Sequence, residues 1–291
     1  MNLSSPTIIK QILQKYNIKP SKSLGQNFLI NKNILSKIIK ASNLSKNDIV
    51  LEVGPGIGTL TYELAQNASK VIAIEKDHDM INILQETLSE FNNVNIVEDD
   101  ILEISNFQFL ISNQIQKPNA KYKVVANIPY YLTSHLIRTF LECENQPQEI
   151  ILLIQKEVAQ RITAKPPHMN LLAVSVQYYA KPEIISYVPR NCFLPAPKVD
   201  SAIIKITPHI SSLSFSQKRE SREFNDLFFK VVKAGFSHPR KQLANNFCSE
   251  LDIEKEAVQN WLLQNNIKPT QRAETLSVNN WKNLANSFII K

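Results

Sequence analysis

Three of the chain's five glycines fall within five residues, in the run Glu52-Val53-Gly54-Pro55-Gly56-Ile57-Gly58-Thr59-Leu60-Thr61. Five glycines in 291 residues is about a quarter of the usual share of roughly 7%. A chain so poor in glycine does not gather it there for flexibility alone. The preceding Asp48–Val53 has the continuous apolar character of a buried parallel strand. Thr59–Ala65 can begin a helix, with Gly58 or Thr59 at its cap. Strand, glycine turn and helix start together bring backbone close to a ligand. A plain tight turn is the alternative.

The spacing narrows the ligand. A dinucleotide fingerprint needs glycine three positions after the second one, and that position is Thr59. No P-loop lysine follows. The pattern is E-x-G-x-G-x-G, which suits a nucleoside without phosphates, and S-adenosylmethionine is the commonest such cofactor. The next strand, Val71–Glu75, ends in an acid 21 positions beyond Gly54. A carboxylate there can accept hydrogen bonds from ribose hydroxyls. A third strand, Val94–Glu98, runs into Asp99-Asp100-Ile101-Leu102, where an acid could accept from an adenine amino group while Ile101 covers the ring. Either aspartate could equally cap a helix or sit in solvent.

A fourth strand, Tyr122–Ala126, ends in Asn127-Ile128-Pro129-Tyr130. Methyl transfer to an exocyclic amine needs a nitrogen lone pair, which in adenine is delocalised into the ring. The Asn127 side-chain oxygen and the Ile128 carbonyl could accept hydrogen bonds from that amine and favour a nucleophilic nitrogen. Pro129 stiffens the turn, and Tyr130 offers a ring for base stacking. No charged general base is required, because a sulfonium is a good leaving group; alignment and acceptor placement carry the reaction. An Asn-Pro-type turn with no catalytic role is the competing reading.

Taken together, these stretches resemble the ribosomal RNA adenine N6,N6-dimethyltransferases of the small subunit. The resemblance begins at Lys22-Ser23-Leu24-Gly25-Gln26-Asn27-Phe28-Leu29. It runs through the glycine turn, Glu75, Asp100-Ile101-Leu102 and Asn127–Ser134 to Phe193-Leu194-Pro195-Ala196-Pro197-Lys198-Val199-Asp200-Ser201 and Arg272–Ser277. It implies that Asn27, Leu29 and Gly54 lie at the methionine end of S-adenosylmethionine, that Glu75 binds its ribose and Asp100 its adenine, and that Asn127 borders both cofactor and target amine. Tyr130 and Phe193 would sandwich a flipped adenine, although Phe193 as ordinary core is the competing reading. The implied reaction is dimethylation of two adjacent adenosines in the 3′-terminal hairpin loop of small-subunit rRNA, on an assembling 30S-type particle. Two positions depart from the family pattern: Asn170 replaces a usual glycine, and Asn279-Asn280 replace usual acids. A resistance-type methyltransferase of 23S rRNA is the nearest alternative, and Leu24-Gly25 and Pro55 favour the small-subunit group. A methylase fold kept as a nucleic-acid-binding assembly factor is a second alternative, and a nicotinamide oxidoreductase a distant one.

The implied fold class is α/β: a Rossmann-like methyltransferase sheet over residues 1–208 and a smaller all-α C-terminal domain over 209–291 that binds RNA. Strands are expected at Glu149–Gln155, Ala173–Tyr179 and Ser201–Ile206, a polar linker at Ser211–Ser216, and helices at Phe224–Ala234, Lys241–Cys248, Glu254–Gln264 and Asn280–Ile289. The charge is +7, and the excess is spread along the chain, which fits a nucleic-acid surface. Gly235–Lys241 combines an expected helix stop with Arg240 and Lys241 as a phosphate contact, a solvated helix start being the competing reading; His238 is read as structural or surface. The N-terminal stretch, with no acid before Asp48, reads as a basic arm of the mature protein. Three scattered cysteines give no disulfide framework and no zinc spacing. The longest apolar runs, such as Ile150–Ile154, are far short of a membrane span. A cytoplasmic monomer without metal or membrane contact is expected.

Overall fold

A computed structural model describes residues 2–21, 24–102, 121–209 and 215–288 of the chain. Lys22 and Ser23 of the first motif and Ser211–Ser214 of the expected linker lie outside them; Phe215 and Ser216 already belong to a helix.

The residues group into two compact units, Met1–Ala159 with Lys181–Pro208, and Gln160–Ala180 with His209–Lys291. The first carries a seven-stranded sheet of β2 (Ile49–Val53), β3 (Lys70–Glu75), β4 (Val94–Glu98), β5 (Tyr122–Asn127), β6 (Glu149–Gln155), β7 (Ala180–Val188) and β9 (Ser201–Pro208). Their order is β4-β3-β2-β5-β6-β9-β7. Pairs among β2 to β6 are parallel, and β9 runs antiparallel to β6. Strand order reverses beside β2, whose neighbours are β3 and β5. In a doubly wound sheet, the crevice beyond the strand ends at that reversal is where ligands bind.

The core explains why the strands read as apolar runs. Val50, Leu51, Val71, Ile72, Val124, Val125 and Ile150–Ile154 are buried, as expected of strands covered on both faces. Helices α1 (Pro6–Lys15), α2 (Lys32–Ser42), α3 (Thr59–Asn67), α4 (His78–Thr87), α5 (Thr133–Glu142) and α6 (Lys156–Ile162) flank or follow them. Helix α2 starts on an Asn31 cap, whose side chain accepts from the Asn33 and Ile34 N–H groups. Its other end is held from the sheet: buried Lys123 donates to the carbonyls of Ser42 (3.2 Å) and Asn43 (2.8 Å) and pairs with Asp48 at 3.3 Å. A cation at a helix C-terminus satisfies carbonyls that the helix leaves open.

A two-stranded sheet joins motifs far apart in sequence. In it β1 (Phe28–Leu29) pairs antiparallel with β8 (Phe193–Leu194), Leu29 facing Phe193.

The second unit is helical. It contains α7 (Leu171–Tyr179), α8 (Phe215–Phe236), α9 (Leu243–Leu251), α10 (Lys255–Gln264) and α11 (Val278–Asn286). Its core includes Phe228, Val232, Phe247, Trp261 and Trp281, with Tyr178 stacked on Phe228 at 4.0 Å. Two expectations change here. Residues 173–179 form a helix, not a strand, so the last sheet strand is Ala180–Val188, and Gln160–Ala180 joins the helices; one cut after residue 208 does not describe the units. Leu171–Tyr179 is apolar almost throughout, and periodicity cannot sort such a short segment; the Asn170 cap decides it, its side chain accepting from the Ala173 N–H at 3.0 Å. The helix stop expected at Gly235 comes one residue later, α8 ending at Phe236, so that Gly235 is its penultimate residue. A methyl group there would come within 2.4 Å of the Trp281 ring, so glycine is required for packing.

Candidate active site

The Leu24–Leu29, glycine-turn, Glu75, Asp100 and Asn127 motifs of the first unit meet at one cavity beyond the carboxyl ends of β2, β3 and β5. It is lined by residues of Leu24–Leu29, Glu52–Gly56, Ile74–Lys76, Asp99–Ile101 and Asn127–Leu132. The turn after β2 has Gly54, Gly56 and Gly58 at φ of 68°, 58° and 86°, a region costly for other residues. Gly58 caps α3. Close approach adds a second constraint at Gly25, where a methyl group would stand 3.2 Å from Pro129 Cβ; on Gly54 it would touch Pro129 Cδ at an ordinary 3.4 Å. The N-terminal loop, the glycine turn and the Asn-Ile-Pro-Tyr turn thus meet around one proline.

Glu75 closes β3 with its carboxylate held from three sides by backbone. The Lys76 and Asp77 N–H groups donate to Oε1 at 3.0 Å each, and the Gly56 N–H to Oε2 at 3.1 Å. Burial raises its pKa in spite of those three donors. A carboxylate offers about four acceptor positions, so direct space remains on Oε2 for a hydroxyl donor. Asp100 is fixed by the Leu102 N–H (2.9 Å) and by Lys76 Nζ (3.1 Å). Burial opposes its ionisation, but those two donors prevail and lower its pKa. The neighbouring Asp99 side chain accepts from the Asp100 N–H instead.

The corner after β5 has a different character. Asn127 donates its amide N–H to the Asn27 carbonyl at 3.1 Å, which turns Oδ1 into the acceptor end. Asn27 in turn donates to the Gly25 carbonyl at 2.9 Å. Tyr130 begins a short 3-10 turn, and its hydroxyl bonds Ser201 Oγ at 2.7 Å. Burial raises the Tyr130 pKa, so the phenol stays neutral.

Asn27, Leu29, Gly54, Glu75, Asp100, Asn127 and Tyr130 all line the cavity. Phe193 does not. It is 3% exposed and packs in the core with Leu29, Ile34 and Ile203, as its pairing with β1 dictates. Its aromatic character and its place in a motif could not separate a stacking ring from a core ring.

Two cavity residues received no role from the sequence. Glu52 is 1% exposed, with Oε2 lacking any hydrogen-bond partner. Burial, together with the charge of Glu75, pushes its pKa up to about 8, against a lowering influence of nearby Thr61. Tyr131 stands 54% exposed at the rim. Both lay in quoted motifs, but burial and exposure at a turn are not written in residue type. Among the described residues, no group of three His, Cys, Asp or Glu side chains could hold a metal ion, and no helix is long and apolar enough to cross a membrane.

The family model for ribosomal RNA adenine dimethylase matches residues 17–289. The chain belongs to the ribosomal RNA adenine dimethylase family. It is 41% identical to ribosomal RNA small subunit methyltransferase A of Clostridioides difficile over 287 residues, covering 98% of this chain and 96% of that one. It is 42% identical to the protein of the same name from Clostridium botulinum strain Loch Maree, covering 95% and 96%. Among solved structures, a dimethyladenosine transferase from Plasmodium falciparum superposes with a TM-score of 0.70 at 28% identity, over 88% of this chain and 95% of that one. The 23S rRNA methyltransferase ErmE gives 0.69 at 24%, a likeness of fold. S-adenosylmethionine is the methyl donor of this family, and the cavity fits it: a turn of three positive-φ glycines, a backbone-held acid at β3, a second acid after β4 and a buried Glu52 whose Oε2 has no hydrogen-bond partner.

Proposed function

We propose that this family member dimethylates N6 of two adjacent adenosines in the 3′-terminal hairpin loop of small-subunit rRNA, on the assembling particle. The curated relatives' name supplies the subunit. The observation that carries the chemistry is the meeting of the glycine turn and the Asn127 corner on Pro129. Bound S-adenosylmethionine supplies an electrophilic methyl group on a sulfonium. The chain's part is to hold and orient. Glu75 accepts a ribose hydroxyl on Oε2, which carries one backbone donor against two on Oε1, and Asp100 receives the cofactor's adenine amino group. Asn27, Leu29 and Gly54 shape the methionine end.

On the other side, Asn127 Oδ1 and the Ile128 carbonyl accept the hydrogens of the target amine. That placement draws the nitrogen lone pair out of conjugation and aims it at the donor. Tyr130 stacks on the flipped base, its hydroxyl anchored on Ser201. Phe193 packs in the core beside its strand partner Leu29. No side chain need take the proton, which leaves to water. The helical unit contributes phosphate contacts through Arg240 and Lys241, both exposed. A cytoplasmic monomer completes the reading.

Immature small subunits lacking the modification provide the test. After incubation with protein and S-adenosylmethionine, mass spectrometry of rRNA digests should show N6,N6-dimethyladenosine at two neighbouring positions. Methylation of 23S rRNA instead, or none from folded, cofactor-bound protein, overturns the assignment.

A further inference from the structure

The sheet ends at β7, whose exposed side carries Lys181, Glu183, Ile185 and Tyr187. Lys181 and Glu183 neutralise each other at 2.7 Å. Tyr187 differs: it is 49% exposed, and Lys156 Nζ lies 5.2 Å from its ring centre. A half-exposed tyrosine beside an ammonium offers the two things single-stranded nucleic acid uses, a face for a base and a charge for a phosphate.

This pair connects to the active site. The Lys156 N–H donates to the Asp200 carbonyl at 3.0 Å, and the Asp200 carboxylate accepts the Arg190 N–H at 3.0 Å. The next residue, Ser201, holds the Tyr130 hydroxyl. Asp200 and Ser201 therefore tie the backbone of Lys156 to the Tyr130 hydroxyl, Asp200 being exposed and Ser201 buried. Lys156 and the exposed Arg190 both bond Asp200 through their backbone N–H groups, which brings two cationic residues to this corner, and cations complement a phosphate backbone.

We infer that Lys156 and Tyr187 form a docking subsite for the RNA strand flanking the target adenosine, with Tyr187 stacking an unpaired base and Lys156 neutralising a phosphate. The inference rests on the methyl-transfer reading of the Asn127 corner and extends its substrate path outward. Both residues lie outside the cofactor cavity, so losing them acts on RNA and not on the donor.

Steady-state methylation of immature small subunits, varied in particle concentration, tests it together with equilibrium binding of S-adenosylmethionine. Tyr187→Ala should raise KM for particles about tenfold, with kcat and cofactor Kd unchanged, and Tyr187→Phe should restore the wild-type value. Lys156→Ala should raise KM and lower the slope of log(kcat/KM) against log salt by about one phosphate contact. Unchanged KM in both alanine variants overturns the subsite. So does an equal loss in Tyr187→Phe, which would point to the hydroxyl, or a loss confined to cofactor binding, which would make the edge merely structural. If wild-type protein does not methylate the particles at all, the functional reading fails, and that outcome is distinct from all three.

Discussion

The carboxyl ends of β3 and β5 border the same cavity but are built on opposite plans. At β3, Glu75 is a charge-bearing acceptor surrounded by three backbone donors. At β5, Asn127 is neutral, spends its donor on the Asn27 carbonyl and keeps an acceptor for a visitor. A site that must hold a ligand benefits from an acid fixed in advance. A site that must make an amine nucleophilic benefits from acceptors without a charge that would compete for the proton. On the proposed function the difference separates binding from reaction: damage at β3 should appear in cofactor affinity, and damage at β5 in the rate at saturating cofactor.

The largest effect on the binding side is expected from Glu75→Ala. Hydrogen bonds to charged groups are worth about 1.5–3 kcal/mol, so S-adenosylmethionine Kd should rise roughly 10- to 100-fold by calorimetry. Methyl transfer should recover as cofactor is raised; failure to recover would erase the division between the two corners.

Glu52 sharpens the same contrast through pH. Its folded pKa of about 8 exceeds the ordinary 4.5, so the folded state binds a proton that the unfolded state has lost between those values. Stability of the cofactor-free protein should therefore fall as pH rises from about 5 to 8. Glu52→Gln should remove that contribution, raising Tm relative to wild type most at pH 8 and least at pH 5. A constant difference across this range would contradict the burial of an uncompensated acid.

Smaller still is Lys76→Ala. The Lys76–Asp100 pair is 40% and 22% exposed at its two side chains. Such pairs contribute little, so cofactor Kd should change less than about threefold, with the difference fading at high salt. A tenfold change would mean that Asp100 depends on Lys76 for its position more than on the Leu102 N–H.

What could be read from sequence follows the same physics. The glycine turn was legible because positive φ restricts residue choice, and its three members do adopt it. Strand-end acids were legible because parallel strands read as apolar runs with an abrupt stop. Helix α7 was not, because Leu171–Tyr179 lacks a polar face to set a period and its deciding cap, Asn170, shows in sequence only as a departure from a usual glycine. Asn280, likewise a departure from a usual acid, closes with Ser277 the capping box that starts α11. Phe193 shows the limit for a single side chain: its motif placed the strand beside the site, and only the β1 pairing turned the ring into the core. The packing need at Gly235 was not legible, because the ring of Trp281 that excludes a side chain there comes from 46 residues further along the chain.

The most direct test measures both readouts on Asn127→Ala. S-adenosylmethionine should bind with a Kd within about threefold of wild type, while methyl transfer to immature small subunits at saturating cofactor falls by about 100-fold or more. A variant that methylates at the wild-type rate, or whose loss is wholly explained by weakened cofactor binding, would contradict the assignment of the reacting amine to this corner.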